Sequence, residues 1–272
     1  VPASRHTTEG IAMTGRILHE RLDGGIVRVV IDNRQRRNAM NNAMWDALGT
    51  LMRELDADES LRCIVVTGAG EEAFGAGADI SEFEENRSTA QKAMRFAERT
   101  HATLRAVKGC RHPVVASIRG LCVGGGLELA LCADLRIAAE GARFGIPVKR
   151  LGLVVAYEEM QGLVETVGKA NTLRILLEGD IFGAEEALRM GLVNHLLPAD
   201  GFEDSVMERV RLIAEGAPLV ARWHKTFANR LMDGAPLTDE ERAQSYACFD
   251  TEDFRIGYRA FLEKRKPDFT GT

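Results

Sequence analysis

Two short runs, residues 17–21 and 26–31, flank Leu22-Asp23-Gly24-Gly25, the pattern of a β-hairpin closed by a glycine turn. A polar, basic loop follows at residues 33–38. Then Met44, Leu48, Leu51 and Leu55 recur at helical spacing from about Asn42, with Asn41 or Asn42 available as the cap. Residues 63–67, Cys-Ile-Val-Val-Thr, form a continuous apolar run expected of a strand buried on both faces. Residues 113–118 and 135–138 repeat that pattern. Between residues 67 and 113, Asp79 or Ser81 can open a helix, and residues 90–107 read as a long one. Helical periodicity resumes over residues 155–177, interrupted at Gly168. A short helix at 184–190, closed by Gly191, precedes a strand at 193–197. From Gly201 onward the signal is helical, over 202–214, 219–232, 238–249 and 252–264. Strands alternating with helices predict an α/β architecture. The expected division is an N-terminal extension (1–13), an α/β core (14–200) and a helical region (201–272). No internal repeat is visible.

Composition narrows the class. The 272 residues are 45% apolar and 28% charged, enough to bury a sizeable core. A net charge of -5 argues against nucleic acid as the default partner. The five cysteines (Cys63, Cys110, Cys122, Cys132, Cys248) are odd in number and widely spaced, and no CxxC occurs. That predicts core thiols in a reducing compartment, not a disulfide scaffold or a zinc site. No apolar run approaches the ~18 residues of a membrane span. Residues 1–13 are polar and lack a secretory hydrophobic segment, so the expectation is a soluble, cytoplasmic protein without a membrane partner.

The candidate chemistry lies in two glycine-rich stretches. Residues 68–73, GAGEEA, formally match a dinucleotide fingerprint, but that fingerprint needs a helix to begin there. Instead FGAGA (74–78) continues as glycine-rich loop, so no nicotinamide or flavin site is expected. Residues 119–130, RGLCVGGGLELA, read as a strand end, three consecutive glycines and an apolar helix carrying Glu128 on its first turn. Glycines let the backbone approach a ligand closely, and free N–H groups at a helix start favour an oxygen gaining negative charge. The same residues would also serve tight helix–strand packing, with Glu128 an ordinary first-turn acid. His101 on the long helix, His112 at a strand entrance, and His195 and His224 in late segments away from these motifs read as structural or exposed. No G-x-S-x-G or HExxH occurs, so serine-hydrolase and metalloenzyme readings have no support and no metal is expected.

Several separated motifs then agree. GLCVGGGLELALCAD (120–134) resembles the signature of the crotonase (enoyl-CoA hydratase/isomerase) superfamily. Ala78-Asp79-Ile80 within FGAGADISEF is similar to the family's other oxyanion segment. Residues 142–147 with Leu151-Gly152, residues 184–193 and the terminal FLEKR (261–265) resemble further landmarks, in the right order. The resemblance implies an α/β spiral of ββα turns with C-terminal helices that support trimers or pairs of trimers. It implies an acyl-CoA thioester as substrate and no separate cofactor. The two amides facing the thioester enolate would belong to Ala78 and Gly125. Coenzyme A would meet Ala76, Asp79, Ile80, Arg36 and Arg37, while Lys264 would reach the phosphates of a neighbouring subunit's ligand.

One departure matters. Hydratases of this family use two glutamates. The first maps to Glu128, but the second falls on Val148, which can neither donate nor accept a proton. The altered segment 153–161, LVVAYEEMQ, offers Glu158 as first replacement, with Tyr157 and Glu159 behind it. The apolar neighbour predicts a raised pKa for Glu128. The expected protein is an acyl-CoA enzyme with Glu128 as principal acid/base, favouring a one-carboxylate enolate reaction over full hydration. The alternative is a non-catalytic acyl-CoA-binding protein.

Overall fold

The computed structural model describes residues 15–272; the expected N-terminal extension lies outside them. The chain begins with the hairpin β1 (Arg16–Leu22) and β2 (Ile26–Asp32), then α1 (Asn42–Ala57), capped by the Asn41 side chain accepting from Met44 N–H. Next come β3 (Cys63–Gly68), β4 (Ala73–Gly75), the short α2 (Phe83–Arg87) and α3 (Ala90–Lys108). After these follow β5 (Val114–Ile118), β6 (Leu121–Val123), α4 (Gly125–Leu131), β7 (Leu135–Ala139), β8 (Arg143–Gly145) and α5 (Tyr157–Glu178). The core closes with β9 (Phe182–Gly183), α6 (Ala184–Arg189) and β10 (His195–Leu197). Every later element is helical: α7 (Phe202–Ala214), α8 (Pro218–Met232), α9 (Asp239–Gln244) and α10 (Glu252–Leu262), with a 3-10 turn before the last.

The sheets explain this order. One sheet runs β1-β2-β3-β5-β7-β10 and the other β4-β6-β8-β9. Each of the units β3–β4, β5–β6 and β7–β8 therefore gives one strand to each sheet before entering helix, and equivalent strands stack in parallel. That is a ββα spiral. Its repeat escapes the sequence because β4, β6 and β8 have three residues each, too few for a period. Residues 74–75, expected as loop, are two of the three residues of β4.

The central strands read as continuous apolar runs because both faces are covered. Ile64 and Val66 of β3 join the main core with Val114, Ala116, Leu48 and Met52. Cys63 and Val65 face the other way, against Phe202, Val206 and Val210 of α7. β1 is the exposed edge, and its Arg16, Glu20 and Arg21 discourage further pairing.

One helix expectation needs correction. The helix foreseen over 238–249 stops at Gln244, because the chain tightens to bring Phe249 edge-on to Phe254 at 4.9 Å while Thr251 caps α10. The interruption expected at Gly168 is present: α5 leaves helical geometry there, with φ 72° and ψ 167°, which glycine adopts without Cβ strain.

Candidate active site

The spiral brings the two glycine-rich stretches side by side. The loop after β4 is fixed by three main-chain bonds to residues 37–40: Ala76 N–H to Arg37 O, Met40 N–H to Gly77 O and Asp79 N–H to Met40 O, the last two pairing Met40 with Ala78 in a parallel bridge. Among the described residues, none of these bonds uses the Ala78 N–H. Gly125 opens α4, so its N–H has no intrahelical acceptor. The two amides are neighbours: a Cβ built on Gly125 would sit 3.5 Å from Ala78 N, and one on Gly77 would sit 3.1 Å from Gly125 N. Gly126 permits this approach. A Cβ there would stand 2.2 Å from the Gly75 carbonyl oxygen, an impossible contact between two backbones.

Both amides line a cavity of ≈ 140 Å³. Ala76 and Ile80 stand at it, Ile80 with 61% of its surface exposed. Glu128 reaches in from α4, and Val148 and Leu153 form apolar wall. The Glu128 carboxyl faces the cavity but lies deep among protein atoms. Desolvation, reinforced by the negative charge of Glu159 and opposed by Arg87, pushes its pKa up to about 8.

The second acid in the cavity is Glu159, not Glu158. Glu159 Oε2 accepts the Ala156 N–H at 2.9 Å, closing the first turn of α5, and Oε1 lies 3.2 Å from His101 Nε2. Its side chain is 17% exposed, against 57% for Glu158, which stands outside the cavity lining and 3.7 Å from His101 Nδ1. Tyr157 is almost fully exposed. His101, expected as a structural or exposed residue of the long helix, is buried on α3 and contacts Glu159.

Arg87 is the residue sequence reasoning missed. It lines the cavity with Glu128 and Glu159, its guanidinium carbon 4.6 Å from the Phe83 ring centroid and 4.3 Å from that of Phe96. Desolvation lowers its pKa, while Glu159 and Glu128 favour its charge. The only signal in the sequence was a lone arginine flanked by aromatic residues.

The remaining candidates are placed as follows. Burial opposes ionisation of Asp79, but hydrogen bonds from Ser81 and the Arg36 guanidinium outweigh it and hold its carboxyl below the usual range. Arg36 is thus tied to the cradle loop beside the cavity. Arg37 has φ 52° and an exposed side chain, and touches the loop through its carbonyl. Lys264 follows α10 with φ 58° and lies outside the cavity lining.

Comparisons with known proteins show the family and the fold. The enoyl-CoA hydratase/isomerase family model matches residues 21–272. A crotonyl-CoA hydratase of Syntrophomonas wolfei is 34% identical over 85% of this chain and 89% of its own. A short-chain-enoyl-CoA hydratase of Clostridium acetobutylicum is 32% identical over 90% and 94%. Among solved structures, an enoyl-CoA hydratase/carnithine racemase from Magnetospirillum magneticum is 40% identical and superposes with a TM-score of 0.92 over 94% of this chain and 96% of its own. The fold is the crotonase fold, which defines a class of α/β enzymes acting on acyl-CoA thioesters. The chain belongs to the enoyl-CoA hydratase/isomerase family. No helix among the described residues is long and apolar enough to cross a membrane.

Proposed function

We propose that this chain hydrates a 2-enoyl-CoA thioester, with Glu128 and Glu159 as its working carboxyls and the Ala78 and Gly125 amides as its oxyanion donors. The observation that carries the reading is the Glu128–Glu159 pair in one cavity, a carboxylate pair restored although Val148 stands where hydratases carry the second acid. In this reading Glu159, held by Ala156 N–H and His101, takes a proton from water as the water oxygen bonds to Cβ. The electron pair moves to the thioester oxygen, where two fixed amides stabilise the enolate; one such donor is worth about 3 kcal/mol. Glu128, protonated at neutral pH because burial raises its pKa, then delivers its proton to Cα. The Cα=Cβ π bond and one O–H of water are broken, one C–O and one C–H bond form, and the thioester is unchanged; return of the proton from Glu159 to Glu128 resets the pair.

Arg36, Ala76, Asp79 and Ile80 would stand at the coenzyme A entrance. The exposed apolar residues of the last helices, including Leu231, Phe254, Phe261 and Leu262, support a homotrimer or a pair of trimers; Lys264 would act only there. Sedimentation finding a monomer would remove that part.

The second reading is a double-bond shift through Glu128 alone, favoured by the apolar wall at Val148. Crotonyl-CoA separates the two. Hydration consumes the conjugated chromophore and fixes one deuterium at Cα in D2O. An isomerase exchanges protons without adding water, and a carrier protein does neither.

A further inference from the structure

Arg87 stands in the cavity wall with no acceptor from the described residues. Among the described residues it makes no hydrogen bond and no ion pair, and its Nε is sealed from solvent without a partner. Glu159, the acid whose charge acts on it most, is turned to other partners: its Oε2 accepts the Ala156 N–H and its Oε1 faces His101 Nε2, and neither oxygen pairs with the guanidinium. Glu128, the other acid of the cavity, is neutral at pH 7 in the reading above. The two rings fix the guanidinium in position, and desolvation makes an unpaired charge there costly. Its terminal nitrogens, neither bonded nor sealed off, remain open to a bound molecule. Around it the wall is apolar: Phe83, Leu104, Val148, Leu153 and Val155. A pocket built for a plain hydrocarbon chain has no use for a cation in that wall.

We propose that Arg87 recognises a carboxylate at the end of the acyl chain, so that the preferred substrates are thioesters of dicarboxylic acids. The inference rests on the acyl-CoA reading above and names its substrate class. A guanidinium meets a carboxylate through two parallel N–H···O bonds, and the low-dielectric site strengthens them. The carboxylate would supply the acceptor the side chain lacks and neutralise the charge that burial penalises.

Binding tests this without requiring turnover. Glutaryl-CoA and valeryl-CoA have the same number of acyl carbons and differ in a terminal carboxylate against a methyl group. Isothermal titration of the full chain should give glutaryl-CoA a Kd at least about tenfold lower, the range of a charge-assisted hydrogen bond. Arg87→Met should bring the ratio of the two Kd values to about one, and Arg87→Lys should keep part of it. Equal affinities in the unaltered protein, or a preference that survives Arg87→Met, would overturn the assignment while leaving the acyl-CoA reading intact. Failure to bind either thioester would overturn both. Turnover is read separately with crotonyl-CoA, so a failure of the hydration chemistry does not touch this result.

Discussion

On one side of the cavity Ala78 and Gly125 offer main-chain amides, held by bonds to residues 37–40 and by contact between the Gly75 and Gly126 backbones. On the other, Glu128, Glu159 and Arg87 offer side chains from three helices, α4, α5 and α2. The first side is specified by the absence of side chains and cannot be retuned without moving the chain. The second depends on helix register and rotamer, so it can be rebuilt. In the proposed reading, Val148 and the cavity-lining Glu159 are such a rebuilding. The cradle defines the family; the wall decides the reaction.

The largest effect should come from breaking the cradle. Gly126→Ala would place a methyl group 2.2 Å from a carbonyl oxygen that belongs to backbone. Turnover should fall by more than ~1,000-fold, since both oxyanion donors move, and thermal melting should shift down as for an overpacked core. Near-normal activity in this variant would show that the amides are not held by this contact. On the wall, Glu128→Gln should lower kcat by ~100 to 10,000-fold, the range of a lost acid/base group, with the fold retained.

The same variant tests the raised pKa by stability. Unfolded, Glu128 releases its proton near its ordinary value of 4.5; folded, it keeps it to about 8. Across that window the native state binds more protons, so stability is full below about 4.5 and falls as pH rises towards 8. Glu128→Gln should therefore melt higher than the unaltered protein at pH 8, by about 2–4 °C for each kcal/mol released. The gain should vanish near pH 4; an equal shift at both pH values would contradict the burial argument. A smaller loss, about tenfold in kcat with KM little changed, is expected for His101→Ala, which frees one oxygen of Glu159.

How much of this was legible follows from the same contrast. The triple glycine and the Ala78 loop were readable because packing forbids a Cβ at Gly126 and so fixes residue type. The long buried strands were readable because both faces are covered. The three-residue strands of the second sheet were not, since pairing with neighbours remote in sequence makes them. Glu158 was preferred to Glu159 because α5 starts without a side-chain cap: Ala156 has no oxygen to offer, and the cap comes from Glu159 itself reaching back. One residue on a helix of 3.6 per turn rotates a side chain by about 100°, enough to exchange cavity for solvent. Arg87 was hidden because its burial comes from Phe83 and Phe96 on two different helices.

The smallest effect belongs to Glu158, and setting it against its neighbour tests the account most directly. Steady-state hydration of crotonyl-CoA should be measured for Glu158→Gln and Glu159→Gln under one set of conditions. Glu159→Gln should lose at least ~100-fold in kcat, as for a missing base, while Glu158→Gln stays within about threefold, as for an exposed acid. Equal losses, or a larger loss at Glu158, would contradict the assignment of Glu159 as the partner of Glu128.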